Sequence, residues 1–143
     1  MTHTVAENAA PTVSEFVPQS VEQAREWVLE RISLEQSIRI HGNGTSGHSD
    51  PISLEEGGCF PVSSQDLKTI HFFDPDDLVA GMQAGQTAAE MQQLLAQKKM
   101  QLMVNPWYPD STLGGMVSAN ISGPNRMNMG GLRDSLIGIE YIN

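Results

Sequence analysis

Two short stretches concentrate the residues able to do chemistry. The first is His41-Gly42-Asn43-Gly44-Thr45-Ser46-Gly47, which follows the alternating run Ser37–His41. The second is Pro106 to Asn143, which holds six of the chain's 13 glycines, including the pairs Gly114–Gly115 and Gly130–Gly131. Glycine lets backbone come close to a ligand because no Cβ intervenes. A tight glycine turn after a strand also points successive N–H groups into one concavity, which favours an anion. Thr45 and Ser46 add hydroxyl donors. Hydrogen bonds to a charged group contribute about 1.5–3 kcal/mol each, so a handful can hold a pyrophosphate without a lysine. That suits a chain with only 8 Lys and Arg residues. Gly42 to Gly47 also satisfies G-x-G-x-x-G, but the doubly wound dinucleotide version needs a helix opening inside the loop. Here His48-Ser49-Asp50-Pro51 follows, so that version is set aside. A plain surface turn remains the other reading of the loop.

The elements that position these loops follow from periodicity and capping. Residues 1–16 mix Thr, Ala, Pro and Glu without periodicity and read as a flexible lead-in. Ser20 with Gln23 three residues later is a capping-box pattern. It opens a helix to about Ile32, with Val21, Ala24, Val28 and Ile32 on one face and Trp27 beside them. Ser37–His41 sets Ile38 and Ile40 against Arg39 and His41, a short strand. The stretch 50–66 carries Pro51, Gly57, Gly58 and Pro61 and reads as loop. Strands are expected around Ile70–Phe73 and Leu78–Met82, joined by the turn Asp74-Pro75-Asp76-Asp77. Thr87 with Glu90 is a second capping box. Its helix puts Ala88, Met91, Leu94 and Leu95 on one face and ends at Lys98–Lys99. Gln101–Val104 reads as extended and Leu136–Ile142 as a final strand, which makes an α+β chain.

Composition narrows the function classes. At 143 residues the chain is long enough to bury one real core. A net charge of −9 and a pI near 4.7 argue against nucleic acid or anionic lipid as partners. Cys59, the one cysteine, argues against an internal disulfide framework or a cysteine metal site, and no metal is expected. No run of about 18 apolar residues predicts a membrane span. No secretion signal is visible at the N-terminus, so a cytoplasmic location is the expectation.

Taken together, the motifs resemble a known family. The strand and its H-G-N-G-T-S loop are followed by D-S-T-L-G-G-M-V-S-A-N-I-S-G-P and then by M-G-G-L-R-D-S-L-I-G-I. This resembles the flavin-binding domain of the vanillyl-alcohol-oxidase and p-cresol-methylhydroxylase (PCMH) type. Ser122, Gly123, Pro124 and Arg126, with Arg133 and Asp134, carry a narrower similarity to the E subunit of bacterial glycolate oxidase. The resemblance implies the N-terminal portion of a two-subdomain PCMH-type FAD-binding fold, incomplete at the C-terminus. Residues 17–104 would form the first subdomain, with its pyrophosphate loop at 41–46. Residues 105–143 would start the second. FAD would lie between them, its pyrophosphate on Gly42, Asn43, Gly44, Thr45 and Ser46. The second segment would pass along the cofactor at Thr112, Leu113, Gly114, Gly115, Asn120, Ser122 and Gly130. Relatives that attach FAD covalently do so through a histidine in the first loop. The matching place is Thr45, which implies non-covalent FAD, with His41 and His48 flanking. Asn43 and Ser46 stand where close relatives often have Gly and Lys.

Other readings of the same residues stay open. Gly114 and Gly115 would also serve a helix start that packs closely, and Asn120 a backbone cap. Arg133 and Asp134 read as a structural pair, Trp107 and Tyr108 as packing residues, and Met100, Met103, Met116, Met127 and Met129 as core filler. None of the four histidines makes a convincing general base with a positioned partner. The expectation is an FAD-binding component of an FAD-linked oxidoreductase acting on a small 2-hydroxy acid such as glycolate. This chain would supply part of the cofactor site, and another subunit or a further segment would complete it. The alternatives are a truncated, non-catalytic flavin or nucleotide binder or inactive remnant, and a generic anion-binding domain.

Overall fold

The computed structural model describes residues 14–45 and 59–143. Along the chain run α1 (Val21–Ser33), β1 (Ser37–His41), β2 (Cys59–Ser63), β3 (Ile70–Asp74) and β4 (Val79–Met82). Then come α2 (Ala88–Ala96), α3 (Leu113–Ser118), α4 (Arg126–Met129) and α5 (Leu132–Ser135). The architecture is α+β. β1 and β2 pair in parallel, and β3 and β4 pair antiparallel in a separate two-stranded sheet. No helix among the described residues is long and apolar enough to cross a membrane.

Hydroxyl caps begin the helices where the sequence places them. Ser20 Oγ accepts the Gln23 N–H at 3.2 Å, while the Gln23 side chain accepts from the N–H of Gln19 rather than Ser20. The reciprocal half of that box is thus displaced by one residue. At α2 the box is complete: Glu90 N–H donates to Thr87 Oγ1 at 3.1 Å, and Thr87 N–H to Glu90 Oε2 at 2.8 Å. Lys68 Nζ donates to Glu90 Oε1 at 2.6 Å. The Lys68 bond, joined by those from Thr87 and opposed by partial burial, holds the Glu90 carboxyl below the usual carboxylate range.

Helix ends follow another rule. Glu35, Lys99 and Asn120 adopt left-handed φ values of 53, 59 and 48° just past α1, α2 and α3. In each case the next N–H reaches back to the helix: Gln36 to Arg31 O, Met100 to Leu95 O and Ile121 to Met116 O. These are Schellman endings without glycine, and they satisfy carbonyls that the helix itself leaves open. The expected stop at Lys98–Lys99 is therefore a left-handed turn beginning after Ala96.

Four expectations are corrected. First, residues 59–63, read as part of a loop, form β2; residues 50–58 lie outside the described residues. Pro61 argued against a strand, yet it costs this one little. Its carbonyl accepts from Phe16 N–H at 3.0 Å, so its missing donor also faces the single-residue bridge at Phe16, not β1. Second, Phe16, assigned to the lead-in, bridges to Val62 of the sheet and stacks on Trp27 with ring centres 4.9 Å apart, while Glu15 meets His41. Arg31 continues that ladder over Trp27 and Phe60 and ties α1 to β2. Third, Gln101–Val104 is not a strand. Leu102 N–H donates to the Gln92 side chain at 2.8 Å, and Val104 is buried. Fourth, Leu136–Ile142 pairs with no strand among the described residues, and Ile137, Ile139 and Tyr141 are exposed. Alternating apolar residues specify a strand only where an edge is present to pair with.

The core cluster is Ala88, Val104, Met116 and Leu132, with Leu102, Leu113, Val117 and Ile121 against it. It joins residues from both sides of the expected 104/105 boundary. Met103, Met127, Trp107 and Tyr108, expected to pack, are instead exposed.

Candidate cofactor site

The site grows from the carboxyl end of β1, where ligands of parallel sheets commonly bind. His41 ends the strand, and Gly42 turns out of it directly against Thr112. A Cβ at Gly42 would lie 2.0 Å from Thr112 Oγ1, so only glycine permits this approach. Thr112 is itself fixed twice. Its Oγ1 accepts the Gly115 N–H at 3.2 Å as the cap of α3, and its backbone forms a bridge to Thr87. The starts of α2 and α3 are thereby tied side by side, with Ala88 N–H to Ser111 O and Leu113 N–H to Gln86 O.

Two side-chain bonds then fasten the first loop to the second. Asn43 Nδ2 donates to Asp110 O at 2.9 Å, and Thr45 Oγ1 lies 2.8 Å from Ser111 Oγ. Between them is a cleft of about 240 Å³, lined by residues 39–45 of β1 and its loop and by Ser111, Thr112, Gly115, Ser118, Ala119 and Ile121. His41 Nδ1 is 2.9 Å from Gly42 O, and its Nε2 contacts the Glu15 carboxylate.

The donors suit a pyrophosphate. Among the described residues, the N–H groups of Asn43, Gly44 and Thr45 have no protein acceptor. Gly44 has φ +67°, the left-handed step that turns consecutive N–H groups toward one point. The Thr45–Ser111 pair brings two hydroxyl protons and uses one between them, leaving one for a ligand. Arg39 supplies a guanidinium to the lining and His41 an imidazole. The volume suits a pyrophosphate and its immediate neighbours, not a whole dinucleotide. The α3 N-terminus offers little more, because the N–H groups of Leu113, Gly114 and Gly115 go to Gln86 O, Ala84 O and Thr112 Oγ1.

The expected site residues divide accordingly. Gly42, Asn43, Gly44, Thr45, Thr112 and Gly115 line the cleft together. Ser46 and His48 lie outside the described residues. Leu113 packs on the core, and Gly114 closes on Ala84, with a Cβ there 2.8 Å from that of Ala84. Asn120 ends α3. Ser122 and Gly130 sit in a second cluster, where Asp134 accepts the Gly131 N–H at 2.7 Å and so anchors the loop before α5. Ser111 and Ser118 were not anticipated. Thr112, Gly115 and Ser118 recur every three residues, which places them on one face of a helix starting at Thr112; that spacing was the available signal.

No curated protein matches the chain. Two solved structures of alkyldihydroxyacetonephosphate synthase, from different crystal forms, share the fold with a TM-score of 0.72 at 23% identity. The match covers 84% of this chain and 23% of the synthase, so the chain spans about a quarter of that protein's length. The family model for an FAD binding domain matches residues 15–143. The α+β arrangement is thus part of a PCMH-type FAD-binding fold. The chain belongs to the FAD binding domain family.

Proposed function

We propose that this chain holds the pyrophosphate of non-covalently bound FAD in the cleft between the 42–45 loop and the start of α3. The supporting observation is the convergence of the two glycine-rich segments, joined through Thr45 and Ser111 at 2.8 Å around N–H donors that have no acceptor among the described residues. Thr45 offers no imidazole for a covalent link. When bound, a flavin supplies two-electron acceptance from the carbon bearing a substrate hydroxyl. This chain's residues bind and orient the diphosphate. The similarity of Ser122-Gly123-Pro124 and Arg126 to the glycolate oxidase E subunit favours a small 2-hydroxy acid, oxidised to the 2-oxo acid with electrons passed to another component. A further segment or subunit would hold the rest of the cofactor and the substrate. In the second reading the chain binds flavin or nucleotide without catalysis. It is favoured by the lack, among the described residues lining the cleft, of a histidine or carboxylate free of a structural partner.

Titration with FAD, followed by flavin fluorescence and melting temperature, tests the binding. Saturable binding that competes with ADP-ribose and is weakened by Gly44→Val is the expected result. Binding indifferent to Gly44→Val would place the cofactor elsewhere. Loss of oxidised flavin absorbance on adding glycolate or lactate without oxygen separates the two readings: bleaching supports the oxidoreductase, and unchanged absorbance in a fully loaded protein supports the binder.

A further inference from the structure

We propose that His41 is a positioning residue for the first loop, held as an imidazolium between Glu15 and the Gly42 carbonyl, and that cofactor affinity therefore depends on its proton. This rests on the reading of the cleft as a pyrophosphate site. Both ring nitrogens face atoms that only accept: Nδ1 lies 2.9 Å from Gly42 O, and Nε2 meets the Glu15 carboxylate. A neutral imidazole has one N–H, and only the protonated ring donates at both positions. The carboxylate is not on a loose tail. Phe16, the next residue, bonds to β2 through Phe16 N–H to Pro61 O at 3.0 Å and Ser63 N–H to Phe16 O at 2.9 Å.

The Gly42 carbonyl shares its peptide with the Asn43 N–H. The unit is planar and trans, so fixing one group fixes the other, pointing the opposite way. His41 thereby sets the direction of the first donor of the loop. Among the described residues, the charged groups around the ring are Glu15 and, two residues back on the same side of β1, Arg39, which lines the same cleft. Ser63 and Ser64 of the adjoining strand are uncharged, and Asp110 meets the loop through its main-chain oxygen. Loss of the ring proton turns a lone pair toward Gly42 O or Glu15. One clamp opens, and a positive charge leaves the mouth of an anion site.

The diphosphate of FAD keeps a constant charge across the histidine range, so a pH slope in its binding belongs to the protein. The test measures the FAD Kd of the protein between about pH 6 and pH 8 for wild type, His41→Gln and Glu15→Gln. The expected wild-type Kd rises about tenfold across that span, the limit for one linked proton being tenfold per pH unit. His41→Gln should give a flat profile with the weaker, high-pH affinity, and Glu15→Gln a profile displaced to lower pH. Nitrogen-15 spectra of the His41 ring should show two protonated nitrogens at the low-pH end and the loss of one proton over the same pH span as the rise in Kd, a coincidence that a packing role would not produce. Glu15→Gln leaves the strand bridge at Phe16 in place and serves if His41→Gln does not fold. Variants that keep the wild-type profile, or a neutral His41 ring at about pH 6, would overturn the proposal. FAD binding that ignores Gly44→Val would instead overturn the cleft assignment itself, so the two failures are distinct.

Discussion

Gly42 is constrained by its neighbour and Gly44 by its own backbone. A Cβ at Gly42 would strike Thr112, so Gly42→Ala should destabilise the fold by about 1–3 kcal/mol as overpacking does. In a thermal or denaturant double-mutant cycle with Thr112→Ala, the two changes should couple by about 1 kcal/mol; simple additivity would mean that the contact is not made. Gly44 has open space around it but φ +67°, so a substitution there meets strain of about 1–2 kcal/mol rather than a clash. Gly44→Val should therefore loosen FAD more than it lowers the melting temperature. Glu90 gives a pH dependence of known sign. Its folded pKa lies below the ordinary value, so its stabilisation is present at neutral pH and is lost as pH falls through the carboxylate range. Glu90→Gln should flatten the acid limb of the stability curve. The loss at neutral pH should stay under about 1 kcal/mol, since the pair with Lys68 is well exposed to solvent.

Elements were legible in proportion to how local their causes are. The cap at Ser20, the full box at Thr87 and the turn at Asp74, whose carboxylate accepts the N–H groups of Asp76 and Asp77, each span about four residues and appear where their patterns predict, the reciprocal bond at Ser20 excepted. β2 was hidden because Pro61 argues against a strand unless the unpaired direction of its nitrogen is known. The end of α1 was read to within one residue, but that of α2 was hidden because Lys99, not a glycine, takes the left-handed position. Lys99→Gly should relieve that strain and stabilise the protein by about 0.5–1 kcal/mol in equilibrium unfolding. At Asn120 the same substitution separates two roles. As a helix ending, Asn120→Gly keeps both stability and FAD affinity; as a cofactor ligand, it keeps stability and loses affinity. The left-handed turn of the first loop at Gly44 was legible from its glycines. Its partner surface was not, because Ser111 and Ser118 acquire a role only when β1 and α3 meet across some seventy intervening residues.

At the scale of the molecule, the core residues Ala88, Val104, Met116 and Leu132 draw on both segments that the sequence had assigned to separate subdomains. Unfolding should therefore be a single cooperative transition by fluorescence and by circular dichroism. Met116→Ala, at a position with 0% exposure, should cost about 2–5 kcal/mol without splitting that transition. Two separated transitions would show that the segments fold independently. Thr112 carries a longer consequence. Its hydroxyl caps α3 and faces Gly42 whether or not anything occupies the cleft. Purifying selection for solubility alone would preserve it, so a descendant that had abandoned flavin would still display that threonine. A Cβ at Gly44 would meet no atom of the described residues, and the glycine is kept by the conformation its loop must hold. In a lineage drifting away from the cofactor, Gly44 is the letter that would change first, and its replacement would date the loss.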